Sequence, residues 1–206
     1  MKLLLSTHNE HKRREFARLL ARSGAERIEI DALPETVTLP PEDGDTFAEN
    51  ALGKARAAAQ ATGRVSFADD SGIAAAALGG APGVRSARYA GEHATDAENL
   101  RKLLREAPVG SPLEYICVIA YVDPASGVER LFEGRCGGTL AAEPRGEGGF
   151  GYDPAFVPDD GPPVADGQTP LTMAELSDEQ KDAISHRGHA ARALLEWLQG
   201  NPAKAI

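Results

Sequence analysis

The stretch Val65-Ser66-Phe67-Ala68-Asp69-Asp70-Ser71-Gly72 places two adjacent carboxylates directly after a short apolar segment. Residues 65–68 predict a buried strand, while the alanine-rich residues 73–78 favour a further strand only weakly. Adjacent carboxylates repel each other unless a cation or a proton separates their charges. Open α/β sheets bind ligands beyond the carboxyl ends of their strands. We therefore predict a ligand site where this strand ends.

Upstream of this strand, short strands alternate with helices. Residues 2–6 and 28–30 predict strands, and an apolar stripe at helical spacing between them predicts a helix that ends near Gly24. Residues 47–62 predict a second helix.

The sequence also marks the two ends of this second helix. Asp45 or Thr46 is the expected N-cap, and Gly63 is the expected end.

Downstream, two capping boxes predict helix starts at residues 95–98 and 177–180. Residues 113–122 and 128–136 flank a turn and predict a β-hairpin. Residues 143–170 are rich in glycine and proline and predict the longest irregular region. Helices alternating with strands, followed by a hairpin, indicate an α/β fold with a mixed sheet. No change of composition marks a linker, so we expect one domain over residues 1–206.

Charge and composition exclude several classes of protein. The 206 residues carry a formal net charge of −9, which argues against a nucleic-acid partner. The longest apolar run, residues 115–122, is far shorter than the ~20 residues that span a bilayer, so no membrane partner and a cytoplasmic location are expected. Cys117 and Cys136 are too few for a disulfide scaffold and are expected to be free thiols, although their spacing alone does not exclude a bridge.

The turn after the first strand is a candidate anion site. It reads Thr7-His8-Asn9-Glu10-His11-Lys12. A hydroxyl, an amide and an ammonium, on Thr7, Asn9 and Lys12, can all donate hydrogen bonds at a helix N-terminus, where phosphate binds well. The alternative is an ordinary capped helix start.

The carboxylates of Asp69 and Asp70 suggest metal and proton chemistry. Mg²⁺ prefers one or two carboxylates together with substrate phosphate oxygens. One aspartate could hold the metal while the other takes a proton from water. The alternative is a turn with solvated carboxylates. The acidic loop of Glu42, Asp43 and Asp45 could supply a further ligand or simply carry solvated charge.

Residues 146–151 match G-x-G-x-x-G, but the dinucleotide interpretation is excluded because no strand precedes them and no helix follows. A loop that presents Phe150, Tyr152 and Asp153 is predicted instead. Phe150 could stack on a nucleobase, a contact worth ~1–3 kcal/mol, or it could attach the loop to the core.

Near the C-terminus, Lys181 and Ser185 are four residues apart and are predicted to share a helix face. Ser185 and His186 are adjacent and lack the G-x-S-x-G elbow, so no hydrolase triad is predicted. A polar helix junction is the alternative interpretation of this segment.

Taken together, these segments resemble the inosine/xanthosine triphosphate pyrophosphatase family, which hydrolyses non-canonical purine nucleoside triphosphates. They follow the family's order over nearly the whole chain. The matching segments are Ser6-Thr7-His8-Asn9-Glu10-His11-Lys12, Glu42-Asp43-Gly44, Thr46-Phe47, Glu49-Asn50-Ala51, Lys54-Ala55, Phe67-Ala68-Asp69-Asp70-Ser71-Gly72, Gly79-Gly80-Ala81-Pro82-Gly83, Ser86-Ala87-Arg88-Tyr89, 148–154, and Ala183-Ile184-Ser185-His186-Arg187-Gly188.

The resemblance implies an α/β fold with a mixed, elongated central sheet and flanking helices. It further implies two lobes around a substrate cleft and a homodimer. The implied reaction is NTP + H₂O → NMP + pyrophosphate, with Mg²⁺ as cofactor and a purine nucleoside triphosphate as substrate. A non-catalytic nucleotide-binding module of the same fold is the alternative. A phosphomonoesterase with an aspartate nucleophile is less favoured, because Asp69-Asp70 lacks the D-x-D spacing.

The resemblance also implies roles for single residues. Asp70 matches the proton acceptor and, with Glu42, the metal ligands, and Asp69 assists the metal site. The residues that match substrate-binding positions are Thr7, His8, Asn9, Glu10, His11, Lys12, Lys54, Ser71, Phe150, Gly151, Tyr152, Asp153, Lys181, His186 and Arg187. Among them, Thr7, Asn9 and Lys12 are expected to bind the triphosphate, and Lys54 is expected to add positive charge there.

Phe150 is expected to stack on the base. The other residues that match the base pocket are Tyr152, Asp153, Lys181, His186 and Arg187. Arg187 has only donors, so it would favour the 6-keto group of inosine and xanthosine over the amino group of adenine. The sequence departs from the family at His8, where many members have glycine, and in an apparent Pro/Gly-rich insertion at 159–170.

Overall fold

The computed structural model describes residues 1–22 and 28–200, so the helix end predicted near Gly24 lies outside the described residues. The strands are β1 Lys2–Leu5, β2 Glu29–Ala32, β3 Ser66–Ala75, β4 Pro112–Asp123, β5 Val128–Leu140 and β6 Phe156–Pro158. The helices are α1 Glu10–Arg22, α2 Phe47–Thr62, α3 Asp96–Glu106, α4 Asp178–Ile184 and α5 His186–Gly200.

The described strands form one mixed sheet in the order β2-β1-β3-β4-β5-β6. β1 pairs in parallel with both β2 and β3, whereas β6 pairs antiparallel with β5. The predicted α/β class with a mixed sheet and flanking helices is therefore confirmed.

The capping signals in the sequence predict the helix starts well. Thr46, not Asp45, caps α2: its side chain accepts a hydrogen bond from the Glu49 amide, and the Glu49 carboxylate accepts one from the Thr46 amide. Gly63 ends α2 with φ +67°, a left-handed conformation that glycine adopts without strain. The boxes predicted for α3 and α4 are also present.

β3 corrects the prediction that a strand ends just before the two aspartates. It runs from Ser66 through Asp69 and Asp70 to Ala75 without a break. β1 stops at Leu5, which pairs with Phe67, so the rest of β3 extends beyond the end of this neighbour. The carboxylates lie past the carboxyl end of β1, although they are inside a strand.

Two further predictions are wrong. Lys181 and Ser185 do not share a helix face, because α4 ends at Ile184 and Ser185 has extended backbone, with ψ 151°. The helix junction therefore falls at Ser185. Residues 143–170 are not wholly irregular, since they contain β6 and a short 3₁₀ helix at Asp153–Ala155.

The chain divides into two compact units. Unit 1 comprises Met1–Asp70, Cys117–Gly134 and Arg187–Ile206; unit 2 comprises Ser71–Ile116 and Arg135–His186. The core of unit 1 includes Leu3, Leu5, Phe16, Phe67, Ile119 and Leu194. The core of unit 2 includes Ile73, Leu103, Tyr115, Tyr152, Phe156 and Met173.

Both cysteines are buried free thiols. Burial and the neighbouring charge of Asp69 raise the pKa of Cys117, in unit 1. Burial and the nearby aspartates raise the pKa of Cys136, in unit 2, to about 12. In the part of the chain that the structure describes, none of the helices has the length and apolar character needed to cross a bilayer.

Gly138 of β5 leaves no room for a side chain, which gives a test of the packing in unit 2. A Cβ there would lie 2.4 Å from the Val157 carbonyl oxygen and 2.6 Å from the Phe156 ring. We expect Gly138→Ala to lower the free energy of unfolding by about 1–3 kcal/mol, the usual cost of overpacking. Urea unfolding measures this change.

Gly53→Ala is the matched control. Gly53 lies inside α2, and the nearest atom to a Cβ added there would be Pro40 Cγ at 3.7 Å, an ordinary contact. Alanine in a helix is favoured over glycine by up to ~1 kcal/mol, so this variant should be neutral or more stable. Equal midpoints for the two variants would contradict the packing described for Gly138.

Candidate active site

The turn between β1 and α1 is organised by its own side chains. Thr7 Oγ1 accepts a hydrogen bond from the Asn9 amide, and Asn9 Oδ1 accepts one from the Lys12 amide. His8, Glu10 and His11 are exposed, and Glu10 pairs with Arg13. The structure thus places all the predicted residues of this turn at the start of α1, where helix amide groups favour an anion.

Asp69 of unit 1 is held by two cationic side chains. It is fully buried, and its Oδ2 lies 3.2 Å from Lys12 Nζ and accepts hydrogen bonds from Arg187 Nη2 at 3.0 Å and Nε at 3.2 Å. Burial opposes ionisation, but Lys12, Arg187 and Lys54 outweigh it and hold the pKa of Asp69 well below its usual range. Asp69 is therefore a fixed negative charge.

The other oxygen of this carboxylate is not satisfied within the protein. Asp69 Oδ1 is buried and has no hydrogen-bond partner among residues 1–22 and 28–200. Leaving a buried acceptor unpaired is costly, so such groups usually mark a place where a water or an ion binds. Among the contacts of Asp69, this oxygen is the one available to a ligand.

Asp70 has a different environment. Its Oδ2 accepts a hydrogen bond from Asn50 Nδ2 at 2.9 Å, and Asn50 Oδ1 in turn accepts one from the Gly44 amide. Burial, reinforced by the negative charge of Glu42, raises the pKa of Asp70 despite the opposing charge of Lys54. Asp70 is thus a better proton acceptor than an ordinary aspartate.

Lys54 connects the acidic loop to β3. Its ammonium pairs with the Glu42 carboxylate and donates to the backbone carbonyl of Asp69 at 2.6 Å. Burial works against the charge of Lys54, yet Asp69, Glu42 and Asp70 raise the pKa of this lysine. Burial likewise works against the charge of Glu42, yet Lys54 lowers the pKa of this carboxyl.

The carboxylates of unit 1 can be compared with the needs of Mg²⁺. Among the described residues, no group of three or more His, Cys, Asp or Glu side chains is placed to hold a metal ion. Mg²⁺ does not need such a cage, because one or two carboxylates suffice when phosphate oxygens and water complete its shell. Glu42 and Asp70, whose charges act on each other, offer two such carboxylates.

Arg187 belongs to this carboxylate group in unit 1. It is 2% exposed and donates to Asp69 and also to Glu15, a buried carboxylate of α1. The use of Arg187 in selecting the base stays a prediction. Its contacts within unit 1 show a different use, which is to hold Asp69.

Sequence reasoning missed Glu15, although a signal was present. Glu15 and Leu19 are four residues apart and both lie on the buried stripe of α1, and the half-buried Lys12 lies three residues before Glu15 on the same face. A glutamate at a core position is rare unless it is paired. Asn50, which lies in a segment that resembles the family, was missed as well.

A second polar group lies in unit 2 around Asp153. Its Oδ1 accepts a hydrogen bond from the Tyr115 hydroxyl at 3.0 Å. Its Oδ2 accepts from Lys181 Nζ at 2.8 Å and from the Phe150 amide at 2.9 Å. His186 stacks on the ring of Tyr115, with the ring centroids 4.5 Å apart. Phe150, Asp153, Lys181 and His186, all predicted from the sequence, are therefore brought together.

The neighbouring loop residues are anchored as well. The Gly151 amide donates to Asp96 at 3.0 Å, and the Tyr152 hydroxyl donates to the Ser86 carbonyl at 2.7 Å. Phe150 is half-buried, and Lys181 Nζ lies 5.4 Å from the centre of its ring. Ser71 follows Asp70 in β3 and begins unit 2.

Glycines allow this loop to pack closely, which accounts for Gly146 and Gly148 of the G-x-G-x-x-G match without a dinucleotide. A Cβ at Gly146 or Gly148 would lie within 3 Å of the backbone of Ala174. A Cβ at Gly149 would lie 2.0 Å from Asp153 Oδ2. The glycines thus serve the loop's packing and its contact with Asp153.

The family model described as "Ham1 family" matches residues 3–197, and the chain belongs to that family. A dITP/XTP pyrophosphatase of Frankia alni is 47% identical over 97% of this chain and 98% of its own length. One of Symbiobacterium thermophilum is 48% identical over 96% of this chain and 94% of its own length.

Solved structures of proteins from other organisms are similar to this chain in fold. A HAM1 protein from Coxiella burnetii superposes with a TM-score of 0.83 at 38% identity, covering 97% of this chain and 99% of that one. A nucleoside-triphosphatase / dITP/XTP pyrophosphatase from Mycobacterium abscessus gives a TM-score of 0.69 at 42% identity, covering 96% and 100%.

Removing Arg187 tests the buried charge network of unit 1. Arg187→Met leaves Asp69 and Glu15 buried without their shared partner, and losing one member of a buried pair costs about 3–5 kcal/mol. Urea unfolding should show a loss of this size. Arg56→Met, which breaks the exposed pair with Glu129, is the control and should cost about 1 kcal/mol or less. Similar losses in both variants would contradict the network.

Proposed function

We propose that this chain hydrolyses ITP, dITP and XTP to the nucleoside monophosphate and pyrophosphate, and so removes them from the nucleotide pool. The observation that carries the proposal is the pair Asp69-Asp70: the Asp69 carboxylate contacts the cations of Arg187 and Lys12, whereas the Asp70 carboxylate accepts a hydrogen bond from the neutral amide of Asn50. Such a pair divides the roles of fixed charge and proton acceptor. Membership of the Ham1 family and the names of the relatives support the nucleotide class.

Asp70 is proposed as the general base. The raised pKa of Asp70 makes its carboxylate a better proton acceptor for a water molecule. The hydrogen bond from Asn50 fixes the orientation of this carboxylate. The activated water would attack the α-phosphorus, and pyrophosphate would leave. Asp69 stays ionised and fixes the charge of the region.

Lys12 and Lys54 are proposed to bind the triphosphate. Each ammonium has three donors, of which contacts with the protein use only part, so a phosphate oxygen can be added. Thr7, His8, Asn9, Glu10 and His11 form the rest of the anion-binding turn. As pyrophosphate departs, Lys12 and the start of α1 stabilise its charge.

Mg²⁺ is proposed as the cofactor, with Glu42 and Asp70 as its protein ligands. When bound, it would offset phosphate charge and orient the triphosphate for attack. The donor set described above supports this choice, because it leaves most of the metal's coordination to phosphate and water.

The unit 2 group is proposed to recognise the purine. Phe150 would stack on the base, with Gly151, Tyr152 and Ser71 as further substrate contacts. Lys181 is held by Asp153 and supplies donors suited to a 6-keto group, while His186 is held by its stacking on Tyr115. A cytoplasmic location, a homodimer and a single functional domain over residues 1–206 belong to the same proposal.

A coupled phosphate assay tests the reaction. The purified protein is incubated with ITP, XTP, GTP and ATP in the presence of Mg²⁺, with and without inorganic pyrophosphatase. We expect phosphate only when the coupling enzyme is present, and chiefly from ITP and XTP. Direct release of orthophosphate would support a phosphatase, and tight ITP binding without any product would support a non-catalytic binding module.

Asp70→Asn tests the general base. The amide cannot accept the proton from water, so we expect kcat to fall by about 10²–10⁴-fold, the usual contribution of general base catalysis. Nucleotide binding, measured by calorimetry, should survive. Glu129→Gln, at an exposed pair in the same unit, is the control and should keep full activity. Turnover of the Asp70 variant within tenfold of the parent would overturn the assignment.

A further inference from the structure

Tyr115 opens the longest apolar run of the sequence, so its pattern predicts only a core position in β4. The structure agrees that it is buried, with 6% of its surface exposed. The hydroxyl of a buried tyrosine usually needs a hydrogen-bond partner, and the identity of that partner indicates whether the tyrosine has a role besides packing. Here the partner is Asp153, which belongs to the polar group of unit 2 together with Phe150, Lys181 and His186.

The hydroxyl of Tyr115 completes the hydrogen bonding of Asp153. It donates to Oδ1 at 3.0 Å, while Oδ2 accepts from Lys181 and from the Phe150 amide. A carboxylate engaged at both oxygens has little freedom to rotate. The position of Lys181 and of the Phe150 backbone is therefore set, through Asp153, from strand β4.

The ring of Tyr115 makes a second set of contacts. It lies parallel to the His186 imidazole, with an interplanar angle of 5° and centroids 4.5 Å apart. It also packs against Phe156 of β6, with centroids 4.7 Å apart. One side chain on a strand thus touches both the carboxylate that holds Lys181 and the imidazole that begins α5.

We propose that Tyr115 is a positioning residue for purine recognition: its hydroxyl orients Asp153 for Lys181 and Phe150, and its ring orients His186. This inference rests on the proposed function of the unit 2 group. Tyr115 need not touch the nucleotide, because its effect passes through these neighbours.

Tyr115→Phe separates the two contributions. It keeps the ring against His186 and Phe156 and removes the donor to Asp153. We expect the KM for ITP to rise about tenfold while kcat changes less than threefold, because the carboxylates and lysines of unit 1 are untouched. The preference for ITP over ATP should fall as Lys181 loses its fixed position.

Tyr121→Phe is the matched control. Tyr121 is a buried tyrosine of the same strand, but it packs edge-to-face on Trp197 in unit 1, with centroids 5.1 Å apart. We expect unchanged KM and selectivity. A Tyr115→Phe/Asp153→Asn double variant should be little worse than Asp153→Asn alone, since the hydroxyl acts through that carboxylate. Thermal unfolding midpoints of all variants show that each one is folded.

Two results would overturn the inference: an unchanged KM and selectivity in Tyr115→Phe, or an equal rise in KM in the Tyr121 control. Failure of the proposed function looks different, because the parent protein itself would then release no pyrophosphate. In that case the Kd for ITP, measured by calorimetry on the same variants, decides the role of Tyr115. A tenfold weaker Kd in Tyr115→Phe alone would support it, and an equal Kd would overturn it.

Discussion

The contact on which unit 1 depends most is the one between Arg187 and the buried carboxylate of Asp69. A charge removed from water must be neutralised by its neighbours, or the group must give up its charge. Arg187, Lys12 and the backbone contact of Lys54 meet this need from α5, α1 and α2. These three helices are thus held to β3 by one electrostatic requirement as well as by apolar packing.

That requirement also explains why the two adjacent aspartates differ. Asp69 receives the stronger share of the cations and stays charged, whereas Asp70 is buried beside Glu42 and has a neutral amide as its hydrogen-bond donor. The contrast arises from alternation along a strand, since neighbouring side chains point to opposite faces. Two aspartates that are adjacent in the sequence therefore differ in pKa, because their side chains lie in different surroundings.

Local signals in the sequence predicted local structure well, as the caps at Thr46, Thr95 and Ser177 show, because a cap depends on residues three positions apart. The extent of β3 could not be predicted in this way. Beyond the point where its neighbour β1 ends at Leu5, β3 continues beside β4, a strand distant in sequence. The site was similar. Phe150, Asp153 and Lys181 were found through their motif, whereas Glu15 and Tyr115 resemble core residues until their partners are known.

The two thiols have a consequence for the chemistry that the chain can tolerate. Only a thiolate attacks disulfides, peroxides or alkylating reagents at an appreciable rate. Cys117 and Cys136 are both buried with raised pKa values, so neither is ionised to a useful extent near neutral pH. The native protein should therefore resist oxidants that inactivate thiol-dependent enzymes, and a reactive cysteine introduced at its surface would be labelled selectively, without replacing the two natural ones.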